Sequence, residues 1–340
     1  MSNCLKSAII GYGYMGEIRR RVVEKNKDLK LSMICDSNPK KLPGEHDFKV
    51  VRDINEIVES DVQAVFICTP NDLIPEIAIQ CLAKGKHVFC EKPPGRTLKD
   101  IECIKDAEKS NPGTKLMFGF NHRYHPGVLR TKSIVDSGRM GKIVTMRGLY
   151  GKSGGKNFKN SWRNEFSVSG GGILLDQGIH MLDLFNFFCG GFTSAKAFLS
   201  NDHWGFDVED NAMVIFKNDE HLLAMLHSSA TFWKHMFQLN LILERGYLKL
   251  EGLLSKSGSY GRETLVIGKR EFEDETEAIG NPSEEIIYFD NDMSWEMEVS
   301  QFVDYILKDK PVTECNSDNA YDAMELVHLC YQNSGFPIYQ

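Results

Sequence analysis

The chain has 340 residues, of which 42% are hydrophobic, and its formal net charge at pH 7 is −7. This length favours two domains over one, and the negative charge argues against non-specific binding to nucleic acid. No apolar run is long enough to span a bilayer, and the first residues lack the apolar core of a secretory signal. We therefore expect a globular, cytoplasmic protein with no membrane or nucleic-acid partner.

The chain contains nine cysteines. This odd number and the absence of any Cys-x-x-Cys pair argue against a disulfide framework or a metal site. Several of the cysteines lie inside apolar runs, where a cysteine acts as a small hydrophobic residue. The pattern is typical of a protein kept reduced.

Residues 1–122 alternate between strand-like and helix-like patterns, which predicts a doubly wound parallel sheet with helices on both faces. Ligands bind such sheets beyond the carboxyl ends of the strands. The predicted strands are Ser7–Ile10, Leu31–Cys35, Lys49–Val51, Ala64–Thr69, His87–Cys90 and Lys115–Phe120. The predicted helices are Tyr14–Asn26, Ile54–Glu59, Asp72–Ala83 and Leu98–Ser110.

The first predicted strand leads into the turn Gly11-Tyr12-Gly13-Tyr14-Met15-Gly16. Gly11 permits the tight turn, Gly13 lets a pyrophosphate approach the backbone, and Gly16 lets the helix lie close to the strand. The N–H groups at the start of that helix attract the anion. The turn therefore predicts a dinucleotide site formed by these six residues.

Asp36 directly follows the second predicted strand, about twenty residues past Gly16, as the dinucleotide fingerprint requires. A carboxylate there accepts hydrogen bonds from the adenosine ribose and would repel a 2′-phosphate. No arginine adjoins Asp36, so we expect NAD as the cofactor and consider NADP less favoured. The alternative is a surface aspartate that caps the next turn.

Three polar clusters follow later strands, at the sheet edge where ligands bind. The alternative for any one of them is ordinary loop chemistry. We place Thr69, Pro70, Asn71, Glu91 and Lys92 at the cofactor, and Lys92, Asn121, Arg123 and Tyr124 at the substrate.

Residues 123–340 predict an α+β domain built on a mostly antiparallel sheet, with an exposed acidic excursion at 269–285. The segment 222–226 is apolar on both faces, which suggests a homo-oligomer that covers the second face. The alternative is a strand buried wholly within its own chain. The predicted strands are Ile143–Tyr150, Ala195–Asn201, Ala212–Phe216, His221–Ser228, Phe237–Glu244, Tyr247–Leu253, Thr264–Ile267 and Glu285–Phe289. The predicted helices are Pro126–Ser137, Trp295–Leu307 and Asn319–Tyr331.

Asp176 and His180 follow a triple glycine at 170–172, which lets the backbone pass close to another group. On a helix, a spacing of four places both side chains on one face, and Asp183 falls on the same side. Histidine titrates near neutrality, so a histidine paired with a carboxylate is a candidate acid–base group.

The motifs Gly11-x-Gly13-x-x-Gly16, Glu91-Lys92-Pro93 and Asp176-x-x-x-His180 occur in this order along the chain. With Thr69-Pro70-Asn71 and Trp162-Arg163, they resemble the glucose–fructose oxidoreductase/inositol dehydrogenase (Gfo/Idh/MocA) family. The resemblance implies a Rossmann domain over 1–122 and, over 123–340, a domain with a large open sheet that binds substrate and packs in dimers or tetramers. It also implies oxidation or reduction at a secondary alcohol of a sugar, cyclitol or related compound. Lys92 and His180 would be the catalytic pair, and Asp176 a substrate-binding partner.

The chemistry of hydride transfer needs such groups. A neutral His180 can accept the hydroxyl proton, and Lys92 can stabilise the negative charge that develops on the same oxygen. Asp176 can hold a neighbouring hydroxyl and orient the ring. We therefore expect Lys92 and His180 to converge where the nicotinamide binds.

The stretch Ser137–Asn164 contains no acidic residue although the chain as a whole is acidic. Such a loop suggests an anionic substrate, for example a nucleotide-linked sugar or a sugar acid, and the alternative is a solvated lysine-bearing loop. We place Trp162 and Arg163 at the substrate, where Trp162 would stack on a sugar or base face, and the alternative for Trp162 is a place in the core. The basic residues are Arg139, Lys142, Arg147, Lys152, Lys156, Lys159 and Arg163.

Three function classes follow from the motifs. The favoured one is an NAD(P)-dependent dehydrogenase acting on CH–OH groups. The second is a glycoside hydrolase that retains NAD and uses transient oxidation. The third is a non-catalytic NAD-binding sensor, against which the presence of both Lys92 and His180 argues.

Overall fold

The structure is a computed structural model that describes residues 4–38, 47–154, 158–271 and 281–336. Lys156 and part of the predicted excursion at 269–285 lie outside these ranges. The chain forms two compact units. The first comprises Met1–Asn121, Ser167–Gly170 and Trp295–Met324, and the second comprises His122–Phe166, Gly171–Ser294 and Glu325–Gln340.

A six-stranded parallel sheet forms the centre of the first unit, in the strand order β3-β2-β1-β4-β5-β6. Its inner strands β4 and β5 are rich in aliphatic and aromatic residues and almost wholly buried, as expected for a sheet covered on both faces. This confirms the predicted doubly wound fold. The strands are β1 (Leu5–Ile10), β2 (Leu29–Cys35), β3 (Lys49–Val51), β4 (Ala64–Ile67), β5 (His87–Cys90) and β6 (Leu116–Phe118).

The helices of the first unit begin and end close to the predicted positions. Thr97 caps α4 through a capping box with Asp100. The helices of the chain are α1 (Tyr14–Lys25), α2 (Asn55–Val58), α3 (Ile74–Ala83), α4 (Leu98–Ser110), α5 (Pro126–Asp136), α6 (Phe166–Ser169), α7 (Ile179–Cys189), α8 (Ser294–Leu307) and α9 (Ser317–Gln332).

Residues 295–324 lie in the first unit, whereas the predicted division at residue 122 assigned them to the second domain. The reason is aromatic and ionic packing that no local pattern encodes. The Phe302 ring lies edge-on to Phe66 and Phe89, with centroids 5.9 and 5.6 Å away. Glu298 accepts a hydrogen bond from Arg19 at 2.6 Å. The chain therefore returns to the first unit after building the second.

An eight-stranded sheet forms the second unit, in the order β14-β13-β12-β11-β7-β10-β9-β8. Its strands pair antiparallel except for β7 with β10, which confirms the predicted mostly antiparallel sheet. The strands are β7 (Ile143–Gly151), β8 (Ser194–Ser200), β9 (Asn211–Lys217), β10 (Leu223–Ser229), β11 (Met236–Leu243), β12 (Gly246–Glu251), β13 (Glu263–Lys269) and β14 (Glu284–Phe289).

Within the described residues, one face of this sheet is buried and the other is partly exposed. On β10, Ala224 and Leu226 are buried, whereas Leu223 and Met225 remain 45% and 37% exposed. The alternation follows the period of two that places successive side chains on opposite faces. Within the described ranges, no helix has both the length and the apolar character needed to cross a bilayer.

Candidate active site

The glycine-rich turn between β1 and α1 has the close packing that a dinucleotide site requires. Gly11 has a φ of +91°, and a Cβ there would lie 2.7 Å from the carbonyl oxygen of Cys68. A Cβ on Gly16 would lie 2.1 Å from the oxygen of Gly11. By contrast, a Cβ on Gly13 would meet nothing within 4 Å. The turn therefore leaves open space beside the start of α1, where N–H groups attract a phosphate.

The carboxylate of Asp36 is fixed beside this turn. The backbone N–H of Tyr12 donates to its Oδ2 at 2.6 Å, and the N–H of Asn38 donates to its Oδ1 at 2.7 Å. Each carboxylate oxygen accepts more than one hydrogen bond, so both can also accept from ribose hydroxyls. Of the other predicted cofactor residues in the turn, Tyr14 is exposed and Met15 is half-buried.

Thr69, Pro70 and Asn71 follow β4 at the same edge of the sheet. The hydroxyl of Thr69 is buried and, in the part of the chain that the structure describes, has no hydrogen-bond partner. A buried polar group without a partner is costly. This hydroxyl and the open space at Gly13 both fit a bound dinucleotide. Asn71 instead donates from Nδ2 to the carbonyl oxygen of Ser169 at 2.7 Å.

Glu91 and Lys92 follow β5, and the Lys92–Pro93 peptide bond is cis. Lys92 is half-buried, whereas the carboxylate of Glu91 is buried and accepts from Nε of Arg19 at 2.5 Å. Arg19 is fully buried and also donates from Nη1 to Glu298 at 2.6 Å. This ion pair anchors the residue before Lys92 to α1. The predicted contact of Glu91 with the cofactor stays a prediction.

The triple glycine at 170–172 brings backbone close to other protein atoms. A Cβ on Gly171 would lie 2.2 Å from the hydroxyl of Tyr331, and one on Gly172 would lie 2.0 Å from the carbonyl oxygen of Glu209. The buried Glu209 carboxylate also accepts from the N–H of Gly172 at 2.9 Å. At these positions, glycine is therefore required by packing within the protein.

Asp176 lies in a π-helical turn, Leu174–Gly178, that leads into α7. Such turns are frequent at functional sites. Its Oδ2 accepts from Nζ of Lys152 at 2.7 Å and from Nε2 of Gln177 at 3.0 Å, and its Oδ1 accepts from Nε of Arg163 at 3.2 Å. Both oxygens of Asp176 are therefore engaged by N–H donors.

His180 lies in the first turn of α7 and is 5% exposed. The His122 ring stacks on the His180 ring, with centroids 3.7 Å apart and planes inclined by 18°. His122 Nε2 forms a hydrogen bond with the hydroxyl of Tyr150 at 3.0 Å. Burial raises the pKa of Tyr150 well above its usual value, so this phenol stays protonated. His122, which is held by Tyr150, thus fixes the plane of the His180 ring.

The cluster Asn121–Tyr124 is buried throughout. Arg123 donates from Nε and Nη2 to the two oxygens of Asp183 at 2.9 and 2.6 Å, and its guanidinium lies 4.8 Å from the ring centre of Phe187. A buried bidentate pair of this kind holds α7 in place. The predicted substrate contacts of Asn121, Arg123 and Tyr124 stay predictions.

The structure brings only some residues of the basic stretch to Asp176. Lys152 and Arg163 bind Asp176, whereas the ammonium of Lys159 lies 6.0 Å from the ring centre of Trp204. Trp162 is half-buried, and the guanidinium of Arg163 lies 4.4 Å from the centre of its ring. The second unit therefore brings together Asp176, Trp162, Arg163 and Lys152.

Two models of one protein family match the chain. The model described as "Oxidoreductase family, NAD-binding Rossmann fold" matches residues 5–120, and the "GFO/IDH/MocA C-terminal domain" matches residues 128–249. Together they cover well over half of the sequence.

The chain belongs to the GFO/IDH/MocA oxidoreductase family. The resemblance drawn from the motifs is confirmed, and NAD is the cofactor of this family's Rossmann fold. Lys92 lies in the first unit and His180 in the second. Their joint action on one substrate stays a prediction.

Levoglucosan dehydrogenase of Pseudarthrobacter phenanthrenivorans is 37% identical over 146 residues, which are 42% of this chain and 37% of that protein. Inositol 2-dehydrogenase of Rhizobium meliloti is 28% identical over 195 residues, 55% of each chain. The chain thus matches about half or less of these two relatives' lengths. A solved structure of levoglucosan dehydrogenase in complex with NADH superposes with a TM-score of 0.82 over 97% of this chain and 96% of that one, at 21% identity. This last likeness shows the GFO/IDH/MocA fold.

Sequence reasoning missed three side chains around the family's motifs. Arg19 lies on a helix where an arginine usually indicates an exposed face, and nothing local signals its burial. Tyr150 ends a strand and looks like an ordinary core residue. His122 could have been found, because it lies inside a polar cluster at a strand's carboxyl end, where ligands bind.

Proposed function

We propose that the protein transfers a hydride between NAD and a secondary alcohol of a sugar, nucleotide-linked sugar, sugar acid or cyclitol. The observation that carries this proposal is the joint presence of a dinucleotide turn with open space at Gly13 and a histidine, His180, held in a fixed orientation. Membership of an NAD-binding oxidoreductase family supports it. Two relatives, levoglucosan dehydrogenase and inositol 2-dehydrogenase, favour the substrate class by their names.

The residues that would hold NAD are those of the glycine-rich turn, Asp36 and Thr69. When bound, NAD supplies the hydride acceptor. Asp36 would accept hydrogen bonds from the ribose hydroxyls, and its negative charge disfavours the 2′-phosphate of NADP. The buried hydroxyl of Thr69 would gain a partner.

In the proposed reaction, His180 removes the proton of the substrate hydroxyl as the hydride leaves the carbon that bears this hydroxyl. Lys92 donates a hydrogen bond to that oxygen and stabilises its developing negative charge. The cluster around Asp176 orients the rest of the substrate. A sensor would need neither a proton acceptor nor a lysine that stabilises negative charge, so the presence of both His180 and Lys92 favours an enzyme.

Two variants test these roles. Lys92→Ala and His180→Asn should each still bind NAD but lose most of their NADH formation when sugars, cyclitols and nucleotide sugars are screened by absorbance. Near-normal rates in either variant would remove that residue from the mechanism. Cleavage of an aryl glycoside without net NADH formation would instead support an NAD-retaining glycoside hydrolase. NAD binding with no turnover of any compound would support a sensor.

We also propose that the protein forms a homo-oligomer, a dimer or a tetramer, through the outer face of the eight-stranded sheet. In registered pairs on that face, Met213 lies beside Phe198 and Ile215 beside Met225. Phe198 is 79% exposed, and Met213 and Ile215 are 56% and 55% exposed. A contiguous apolar patch of this kind marks an interaction surface. Phe198→Asp should yield monomers in analytical ultracentrifugation, and an unchanged sedimentation coefficient would refute this interface.

We propose a cytoplasmic location for the enzyme, in agreement with its thiols. Cys81, Cys90 and Cys330 are buried and free. Burial raises the pKa of Cys81 to about 12, which keeps the thiol protonated and unreactive. A fluorescent fusion that distributes with the cytosol would support the location, and secretion would refute it.

A further inference from the structure

We propose that Lys152 and Arg163 form a subsite that binds an anionic group of the substrate, a carboxylate or a phosphoryl group, next to the reacting part of the molecule. The inference rests on the proposed function and adds to it the charge of the substrate.

The carboxylate of Asp176, the only one in the motif Asp176-x-x-x-His180, lies between two cations, Lys152 and Arg163. Lys152 bonds one oxygen of Asp176 at 2.7 Å, and Arg163 bonds the other at 3.2 Å. Two positive charges and one negative charge leave a net charge of +1 in this cluster. The side chains of Lys152, Arg163 and Asp176 are 24%, 40% and 15% exposed, so the cations are more accessible than the carboxylate.

The hydrogen-bonding capacity of the cluster points to the same ligand. Both oxygens of Asp176 already accept from N–H donors, and Gln177 adds a further donor to Oδ2. The ammonium of Lys152 carries three donors and the guanidinium of Arg163 carries five. In the described part of the chain, Lys152 uses its ammonium only on Asp176, and the Nη groups of Arg163 have no hydrogen-bond partner. The cluster therefore offers an incoming ligand mainly N–H donors, which suit an oxyanion.

The surroundings hold both cations in position. The guanidinium carbon of Arg163 lies 4.4 Å from the centre of the Trp162 ring, and this contact restricts the plane of the guanidinium. A planar guanidinium fixed in this way can bind a carboxylate or phosphate through two parallel hydrogen bonds. Burial, together with the nearby ammonium of Lys152, lowers the pKa of His235. Near neutral pH this imidazole is therefore mostly uncharged, and the net charge of +1 in the cluster is not altered by it.

The test measures binding by calorimetry with NADH present, so that no oxidation of the sugar occurs. The probes are D-glucuronate, D-glucose 6-phosphate and neutral D-glucose. We expect at least one anion to bind about tenfold or more tightly than D-glucose, the range that a charge-assisted hydrogen bond supplies. The anion that shows the preference tells whether a carboxylate or a phosphoryl group is the natural occupant.

Three variants test which side chains cause the tighter binding of the anion. In Lys152→Met and Arg163→Met, the ratio of the affinity for the anion to the affinity for D-glucose, both measured in the same variant, should fall most of the way to one. Lys159→Met is the matched control, because this lysine belongs to the same basic stretch but lies over Trp204. Melting temperatures would confirm that the variants fold. In Lys152→Met the carboxylate of Asp176 keeps its bonds from Arg163 and Gln177, and in Arg163→Met it keeps those from Lys152 and Gln177.

Equal binding of all three probes by the unchanged protein would overturn the inference, as would an anion preference that survives in Lys152→Met and Arg163→Met. If NAD is reduced by neutral and anionic sugars alike, the subsite is wrong and the proposed function stands. If anions bind with the expected preference but no compound reduces NAD, the subsite stands and the proposed function fails.

Discussion

Replacement of Arg19 by leucine should destabilise the first unit strongly, because this residue is the cation between two buried carboxylates. The side chains of Arg19 and Glu298 are 0% exposed and that of Glu91 is 7% exposed. Removing one partner of a buried ion pair costs about 3–5 kcal/mol, since the remaining charge is left uncompensated. The guanidinium also lies 4.4 Å from the ring centre of Phe89, a contact worth about 0.5–2 kcal/mol. We therefore expect a loss near the upper end of the first range.

The assay is urea denaturation followed by circular dichroism. Arg20→Leu is the matched control, because Arg20 neighbours Arg19 on α1 and pairs with Glu24 at the surface. An exposed pair of this kind contributes less than about 1 kcal/mol. In Arg19→Leu, the buried carboxylates should have raised pKa values, so the folded state would bind protons more readily than the unfolded state. The deficit should accordingly shrink as the pH falls from 7.5 towards 5.

Two results would refute this reasoning. One is a free energy of unfolding of Arg19→Leu within about 1 kcal/mol of that of Arg20→Leu. The other is a deficit that grows at lower pH. The triple variant Arg19→Met, Glu91→Gln, Glu298→Gln provides a further check, because neutral partners should restore part of the lost stability.

Three further predictions concern the turn, the histidine stack and the pH dependence of stability. Gly16→Ala should lower the melting temperature and the NAD affinity, because its Cβ would lie 2.1 Å from a backbone oxygen. Gly13→Ala should leave the melting temperature unchanged, and equal melting temperatures in the two variants would contradict this prediction. His122→Ala should lower kcat about tenfold to a hundredfold, because the ring of His180 would lose the ring on which it stacks. His122→Phe should keep more activity because a phenyl ring can still stack. Equal losses of kcat in the two variants would disprove the stacking role. Burial lowers the pKa of His87 and His227, so the unfolded state binds protons more readily and stability should fall below about pH 6.5. His87→Gln should flatten that fall in urea midpoints, and a midpoint that rises on acidification would contradict the sign.

The first unit could be predicted in large part because its signals are local. The glycine spacing at 11–16 and the short buried runs such as β4 and β5 encode strand, turn and helix over a few residues. The return of α8 to this unit could not be predicted, because it depends on Phe302 meeting the aromatic rings of β4 and β5. Contacts between residues more than two hundred positions apart leave no periodic pattern in one sequence.

The candidate site shows the same division. The spacing of Asp176 and His180 places both side chains on one face if the segment is helical, but the sequence predicted neither α7 nor the π-helical turn that leads into it. The basic stretch could be recognised from composition, whereas the selection of Lys152 and Arg163 depends on which side chains the fold brings to Asp176. The triple glycine indicated a close approach, and only the structure shows that the neighbours include Tyr331 and Glu209. Chemistry-bearing residues are thus visible in the sequence, and their partners are not.

Direct hydride transfer from the substrate can be followed with deuterium. The protein would be incubated with NAD and with D-glucose, D-glucuronate and myo-inositol that carry deuterium on their carbinol carbons, and the NADH formed would be analysed by mass spectrometry. We expect each molecule of NADH to carry one deuterium from the compound consumed, and His180→Asn to form almost no NADH. Consumption of a compound with its deuterium released to water, or without formation of labelled NADH, would show that the protein does not transfer a hydride to NAD.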